Sequence, residues 1–315
     1  MWVLSCILGM GVVVAQERGA RSEDATFSGP ATGYKAPPRD RLHYTNATYG
    51  RINALGITNV FRVGWRRRLS SKDRPLLHNT YVYVAPTLTV TPGFVRSGLF
   101  VEAQALSVLR GFVEVTGVRY FGLFNQVMSF SDPTVRYSDQ RLAELRLAGF
   151  NQPRSGWGVI AGFSVRGPVG PFLVRSTTSF QRYDLALSDG EVVFYDQLWD
   201  RLAPDQGFMV LLDTELVVRL GTARLGIRHS FSDDLVNAPG DGGQAHHRLG
   251  PVVAWTLADR GPGSRFDRPT LFVVSQWWLS HPYRAGQEQP QGLPLIAVGF
   301  AFDGDLISSG TARVR

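Results

Sequence analysis

From Gly207 to Phe231 the chain alternates between two kinds of side chain at every step. Neighbouring side chains on a strand point to opposite faces, so a period of two sorts the residues into two sets. A hairpin turning at Gly221-Thr222 places Leu220 opposite Ala223. One face then holds Phe208, Val210, Leu212, Thr214, Leu216, Val218 and Leu220, met by Ala223, Leu225, Ile227, His229 and Phe231. The other face carries Asp213, Glu215 and Arg219 on the first strand and Arg224, Arg228 and Ser230 on the second. In this register Glu215 opposes Arg228, a favourable cross-strand pair, while Arg219 opposes Arg224, an unfavourable one. One face suits hydrocarbon and the other is charged.

The same two-faced pattern recurs along the chain. It predicts strands over residues 56–69, 77–90, 95–108, 112–124, 135–148, 157–166, 172–185, 191–198, 248–257, 269–279 and 294–302, besides the two of the hairpin. Turn residues such as Thr91-Pro92-Gly93 and long Gly/Asp/Asn-rich loops separate them. The nearest approach to a helical pattern is 140–147. Many strands near ten residues, apolar and polar in alternation, mark a transmembrane β-barrel. Only helices and closed barrels satisfy every backbone group in lipid. The expected fold is therefore all-β: a single closed antiparallel up-and-down barrel. Single-chain bacterial barrels have an even number of strands. The thirteen segments thus predict 12 strands, with 14 as the alternative: either 135–148 or 191–198 is spurious, or residues 42–49 add a strand. A soluble periplasmic β-sandwich, its apolar faces turned into a dry core, is the competing architecture.

The ends of the chain set its compartment. The sole cysteine, Cys6, lies in an apolar opening from Trp2 to Ala15, too short to cross a bilayer as a helix. Its close, Val13-Val14-Ala15 before Gln16, is a small-residue cleavage pattern, so residues 1–15 read as a signal peptide. Residues 16–53 read as a loose periplasmic segment, 54–302 as the barrel and 303–315 as a tail. The net charge of +7 comes almost entirely from arginine, Lys35 and Lys72 being the only lysines. The arginines are spread along the strands and form no patch, which argues against a nucleic-acid partner.

The last strand, with Ile296, Val298, Phe300 and Phe302 on one face, resembles the C-terminal signal strand of Gram-negative outer-membrane β-barrel proteins. The resemblance implies residence in the outer membrane of a Gram-negative bacterium and contact with lipid and lipopolysaccharide. It also implies recognition by the barrel-assembly machinery through this strand. The chain departs from the family in running on from Asp303 to Arg315. Trp65, Trp157, Trp255, Trp277 and Trp278 are candidates for interfacial aromatic girdles.

The candidate functional cluster is Asp213, Glu215, Arg219, Arg224 and Arg228. Inside a barrel it either selects or gates solutes in a small pore or plugs a structural barrel with ion pairs. A membrane-embedded lipid hydrolase is the enzymatic alternative, suggested by His229-Ser230. In that family a His-x-Ser spacing brings both side chains to one face. Here residue 231 is Phe, and Ser230 and Ser232 lie across the strand from His229. His246-His247 with Asp241 lacks a third ligand at metal spacing. No Gly-rich phosphate loop, paired-cysteine motif or dinucleotide fingerprint implies a cofactor.

Overall fold

The computed structural model describes residues 38–308, apart from 54, 72–73, 78–79, 124–126, 134, 136–137, 197–198, 235–244 and 282–291. The expected signal peptide and most of the expected tail lie outside these residues. Twelve strands close into one antiparallel barrel. They are β1 (Asp40–Ile52), β2 (Gly56–Arg68), β3 (Tyr81–Thr91), β4 (Phe94–Leu106), β5 (Leu109–Tyr120), β7 (Arg154–Val169), β8 (Phe172–Leu185), β11 (Phe208–Leu220), β12 (Ala223–Asp234), β13 (His246–Thr256), β14 (Asp267–Ser280) and β15 (Leu295–Ser308). Each pairs with its sequence neighbours within the barrel, and β1 closes the ring on β15. A small second sheet comprises β6 (Ser129–Phe130), β9 (Val193–Asp196) and β10 (Arg201–Pro204), accompanied by helix α1 (Asp139–Leu147). One closed barrel replaces the two packed sheets that a sandwich would need.

The count of twelve is reached differently from the expectation. Residues 42–49 do form a strand: β1 begins at Asp40, inside the stretch read as loose, and β15 runs six residues past Phe302. Both doubtful segments leave the wall. Residues 139–147 are helical: Ser138 caps the helix by accepting from the Arg141 amide at 3.1 Å, and Leu142 and Leu145 are buried three positions apart. That spacing belongs to a helix, not a strand. Residues 193–196 are buried on both faces and so belong to an enclosed sheet. Pro86 points outward from β3, and the β2–β3 pairing lapses beside it, at Val63 and Gly64.

The two ends of the barrel differ. At one end the connections are residues 69–80, 107–108, 170–171, 221–222 and 257–266, and both terminal strands have their free ends there. At the other lie 53–55, 92–93, 121–153, 186–207, 235–245 and 281–294. Gly221, at φ +63°, supplies the left-handed residue that the tight β11–β12 turn needs. The three longest connections, 121–153, 186–207 and 281–294, all lie opposite the end that carries the free strand ends and the three two-residue turns, an asymmetry that outer-membrane barrels share.

The outward face is apolar. Leu99, Val113, Phe163, Leu225, Ile227, Leu271 and Val298 are exposed on it. Among the described residues, outward charges on the strands occur only near the ends, at Asp40 and Arg67 on the turn side and at Arg119, Arg182, Asp184 and Asp233 on the loop side. Exposed tryptophans mark both rims: Trp65 and Trp255 by the turns, Trp157 and Trp277 by the loops. Trp278 departs from that expectation. It points inward, edge-on to His281 with ring centroids 4.6 Å apart and under the Arg248 guanidinium at 4.9 Å.

Candidate functional site: a sealed, charged lumen

The inward face is where the sequence put its charges, and contacts between non-adjacent strands establish that it encloses a lumen. Arg62 on β2 forms an ion pair with Glu114 on β5, three strands round the wall. Its guanidinium lies 3.8 Å over the Phe100 ring, and its Nε donates to Thr87 at 3.2 Å. Arg96 on β4 donates to the hydroxyls of Tyr120 and Tyr183, each at 2.8 Å. These buried charges are tolerable because each is paired or hydrogen-bonded.

The cluster read from the hairpin forms in the expected register. Leu220 opposes Ala223, Glu215 opposes Arg228 and Arg219 opposes Arg224. Arg228, 1 % exposed, binds Glu215 at 2.9 Å and Asp213 at 2.8 Å. Glu215 also binds Arg175 of β8, which stands opposite it in the next strand pair. Asp213 accepts from Ser230 at 2.6 Å, and Gln276 of β14 donates to the same serine at 3.0 Å. The network therefore runs across β8, β11, β12 and β14. Arg219 and Arg224 sit nearer the turn, where Arg219 donates to the Gly221 carbonyl at 3.0 Å. Arg175 and Gln276 escaped the sequence reading because each lies on a strand remote in sequence. Their positions on alternating strands were readable, but their register against β11 and β12 was not.

A second charged group closes the barrel where its first and last strands meet. Asp305 of β15 accepts from Arg41 at 3.0 Å and pairs with His43 of β1 at 2.8 Å; His43 also lies 3.3 Å from Asp303. The Gly263 amide gives Asp305 a third partner at 2.7 Å. This group was not legible in the sequence, where residues 16–53 read as a loose segment, with a strand at 42–49 only as an alternative, and Asp303 and Asp305 fell in the expected tail.

Toward the loop end the lumen is filled by the chain itself. Val127, Phe194, Trp199 and Ala203, from the two long loops, join one apolar cluster with wall residues Tyr49, Phe94, Tyr120, Tyr183, Met209 and Leu211. Arg201, fully buried, anchors this plug to the wall through Asp234 at 2.6 Å, and Asp200 is bound through His281, whose ring nitrogen meets its carbonyl at 2.8 Å. Gly299 of β15 leaves room for the packing: a Cβ there would lie 2.3 Å from the Phe272 ring. A smaller core of Met128, Leu142, Leu145, Val193, Tyr195 and Leu202 ties α1 to the outer side of the plug sheet. Burial pushes the Asp196 carboxyl on β9 up to about 7 against the opposing pull of Arg96.

His229 and His247 fall outside this lumen chemistry. His229 faces outward, stacked on His247 with ring nitrogens 3.2 Å apart, while Ser230 and Ser232 face inward. A serine–histidine hydrolase dyad is therefore not assembled at His229. His246 and His247 point to opposite sides of β13, and Asp241 lies outside the described residues.

No protein-family model matches the sequence, and no curated protein matches it. Solved structures with a similar fold include the translocator domain of the autotransporter NalP from Neisseria meningitidis, 10% identical over 92% of this chain and 96% of that one, with a TM-score of 0.38. The beta domain of the Bordetella autotransporter Brka is 11% identical over 85% of this chain and 98% of its own, at 0.39. The CymD monoaromatic hydrocarbon channel is 9% identical over 90% and 92%, at 0.35.

Proposed function

We propose that this chain spans the outer membrane of a Gram-negative cell as a barrel whose lumen is shut at rest: a gated solute passage, not a general-diffusion pore. The apolar belt between two tryptophan rims would meet lipid and lipopolysaccharide, with the short turns in the periplasm and the long loops outside. The last strand, with its outward Phe300 and Phe302, is the segment offered to the barrel-assembly machinery.

One observation carries the gated reading. The plug is made of loop segments that lie outside the ring of twelve strands. The loop-borne plug is held by Arg201, Asp200 and an apolar cluster, and the Arg62–Glu114 bridge links β2 to β5 on the inner face of the wall. Selective channels use charged constrictions of this kind. A purely structural barrel is the second reading, favoured by the same Arg62–Glu114 bridge, because an ion pair spanning β2 to β5 braces the wall.

Conductance separates the two. Wild-type protein reconstituted in planar bilayers is expected to be silent. A variant lacking residues 188–204 and carrying Glu114→Gln is expected to open a steady conductance. Steady current through the wild type would contradict the sealed lumen. Silence of a correctly folded double variant would leave the structural barrel standing.

A further inference from the structure

The apolar outer face is interrupted on β1 and β2. Asn46 and Thr48 of β1 and Asn59 of β2 point outward, with Thr48 directly opposite Asn59 and Asn46 one outward step away along its strand. Their depth follows from the register. Trp65, at the turn-side rim, stands opposite Leu42. Asn46 and Thr48 lie farther along β1, about 10 and 15 Å up a belt about 25 Å tall, at about 3.3 Å per residue on a strand tilted by about 40°. The patch is therefore set in the middle of the apolar belt, out of reach of either rim.

The three side chains meet part of their own needs. Asn59 Nδ2 donates to Thr48 Oγ1 at 2.7 Å and to Asn46 Oδ1 at 3.3 Å. Among the described residues, the Asn46 Nδ2 group then has no acceptor and Asn59 Oδ1 has no donor. A polar group left unmet in hydrocarbon is costly, because no water reaches it there. The fold does not require that cost, since valine or leucine at 46 and 59 would keep the outward alternation. On the far wall the outward polar side chains are differently placed: Ser176 meets Thr214 at 3.0 Å, and His229 meets His247 at 3.2 Å with Phe231 packed on the His247 ring.

The surface beside the amides is low. The next outward position on β1 after Thr48 is Gly50, where a Cβ would touch nothing nearer than the Gly56 carbonyl at 3.9 Å. Toward the turns the patch is bounded by rings, Tyr44 lying 6.4 Å from Phe61 and 6.1 Å from Phe302. Protein surfaces that meet in lipid gain little from apolar burial; they gain from close approach at small residues and from hydrogen bonds. A donor and an acceptor side by side in one patch are self-complementary. A twofold axis would set the Asn46 amide of each copy against the Asn59 carbonyl oxygen of the other.

We infer that the outer face of β1 and β2 binds a second copy of this chain within the membrane, as a twofold-symmetric dimer joined through Asn46 and Asn59 beside Gly50. This goes beyond the gated-barrel reading. It needs the barrel to stand in an apolar medium but needs no gate, so the conductance experiment and this one fail independently.

Sedimentation equilibrium of the full chain in a density-matched neutral detergent measures the association, and heat-shifted gel mobility shows that each variant is a folded barrel. The wild type should be dimeric at high protein-to-detergent ratio and should dissociate as detergent is added. Asn46→Leu and Asn59→Leu should each raise the dissociation constant about tenfold, as expected for hydrogen bonds lost between membrane-embedded surfaces. Gly50→Leu, which removes no hydrogen bond, should leave a folded monomer. Thr214→Val, outward on the far wall, should dimerise like the wild type. A wild type that stays monomeric at every ratio, a trimer or larger species, or a dimer that survives Asn46→Leu and Gly50→Leu combined would overturn the interface.

Discussion

Glu215→Gln removes one charge and almost no volume, yet it acts on two arginines. The carboxylate is 7 % exposed and shared between Arg175 and Arg228. Arg228 keeps Asp213 at 2.8 Å, which softens its loss. Arg175 faces Arg166 on one side and lies within electrostatic reach of Arg228 on the other. Removing one partner of a buried ion pair costs about 3–5 kcal/mol. With Asp213 compensating in part, the expected cost here is about 3 kcal/mol, against about 0–1 kcal/mol for an exposed pair. Urea unfolding in lipid vesicles, followed by tryptophan fluorescence, reads this directly. Arg175→Met combined with Glu215→Gln should recover part of the loss, with a coupling of at least about 1 kcal/mol, because the double variant no longer buries an uncompensated cation. A cost below about 1 kcal/mol, or simple additivity within about 0.5 kcal/mol, would refute a shared buried carboxylate.

Two further outcomes follow from other parts of the lumen. Asp305→Asn should loosen the β1–β15 closure, since Asp305 gathers Arg41, His43 and the Gly263 amide; a loss of about 3 kcal/mol in the same unfolding assay is expected, and one near zero would remove the clasp from the account. Asp196 gives the plug a pH dependence. Its carboxyl titrates at about 7 in place, so the folded protein holds a proton that an unfolded chain, titrating at about 4, has released. That contribution is complete below about pH 4 and is lost as the pH rises through about 7. Thermal midpoints should therefore fall as the pH rises from about 4 to about 7, and Asp196→Asn should flatten that part of the profile; an unchanged slope in the variant would place the titration elsewhere.

The strands of the wall were readable because a barrel in lipid imposes one rule on every residue: alternate, with the apolar side outward. The β11–β12 register followed from the turn alone, since a tight hairpin fixes which residues oppose each other. The rule failed where its cause is absent. Residues 193–196 sit inside the mouth with both faces covered, so alternation vanishes. Residues 139–147 lie in a loop, where Ser138 and the Leu142/Leu145 spacing favour a helix. β1 was obscured by outward Asn46 and Thr48, which break the apolar stripe; Asn59 of β2 meets them at 3.3 and 2.7 Å. The charged cluster was half legible. Asp213, Glu215 and Arg228 were set by the hairpin, but Arg175, Gln276 and the Arg62–Glu114 bridge depend on the register between successive strand pairs. The plug was not legible at all: an apolar residue such as Trp199 in a polar loop carries no mark of the mouth it fills.

The most direct measurement concerns which way the two faces point. Single cysteines at Leu216, Ile227, Leu271 and Val298, in a Cys6→Ser background, can be spin-labelled in vesicles and their relaxation compared with oxygen and with a water-soluble nickel chelate. High collision with oxygen and little with nickel at all four positions is the expected result. Labels at these positions that are shielded from both reagents, or open to nickel, would mean that the leucines and valines pack in a dry interior and that the arginines face the bulk solvent.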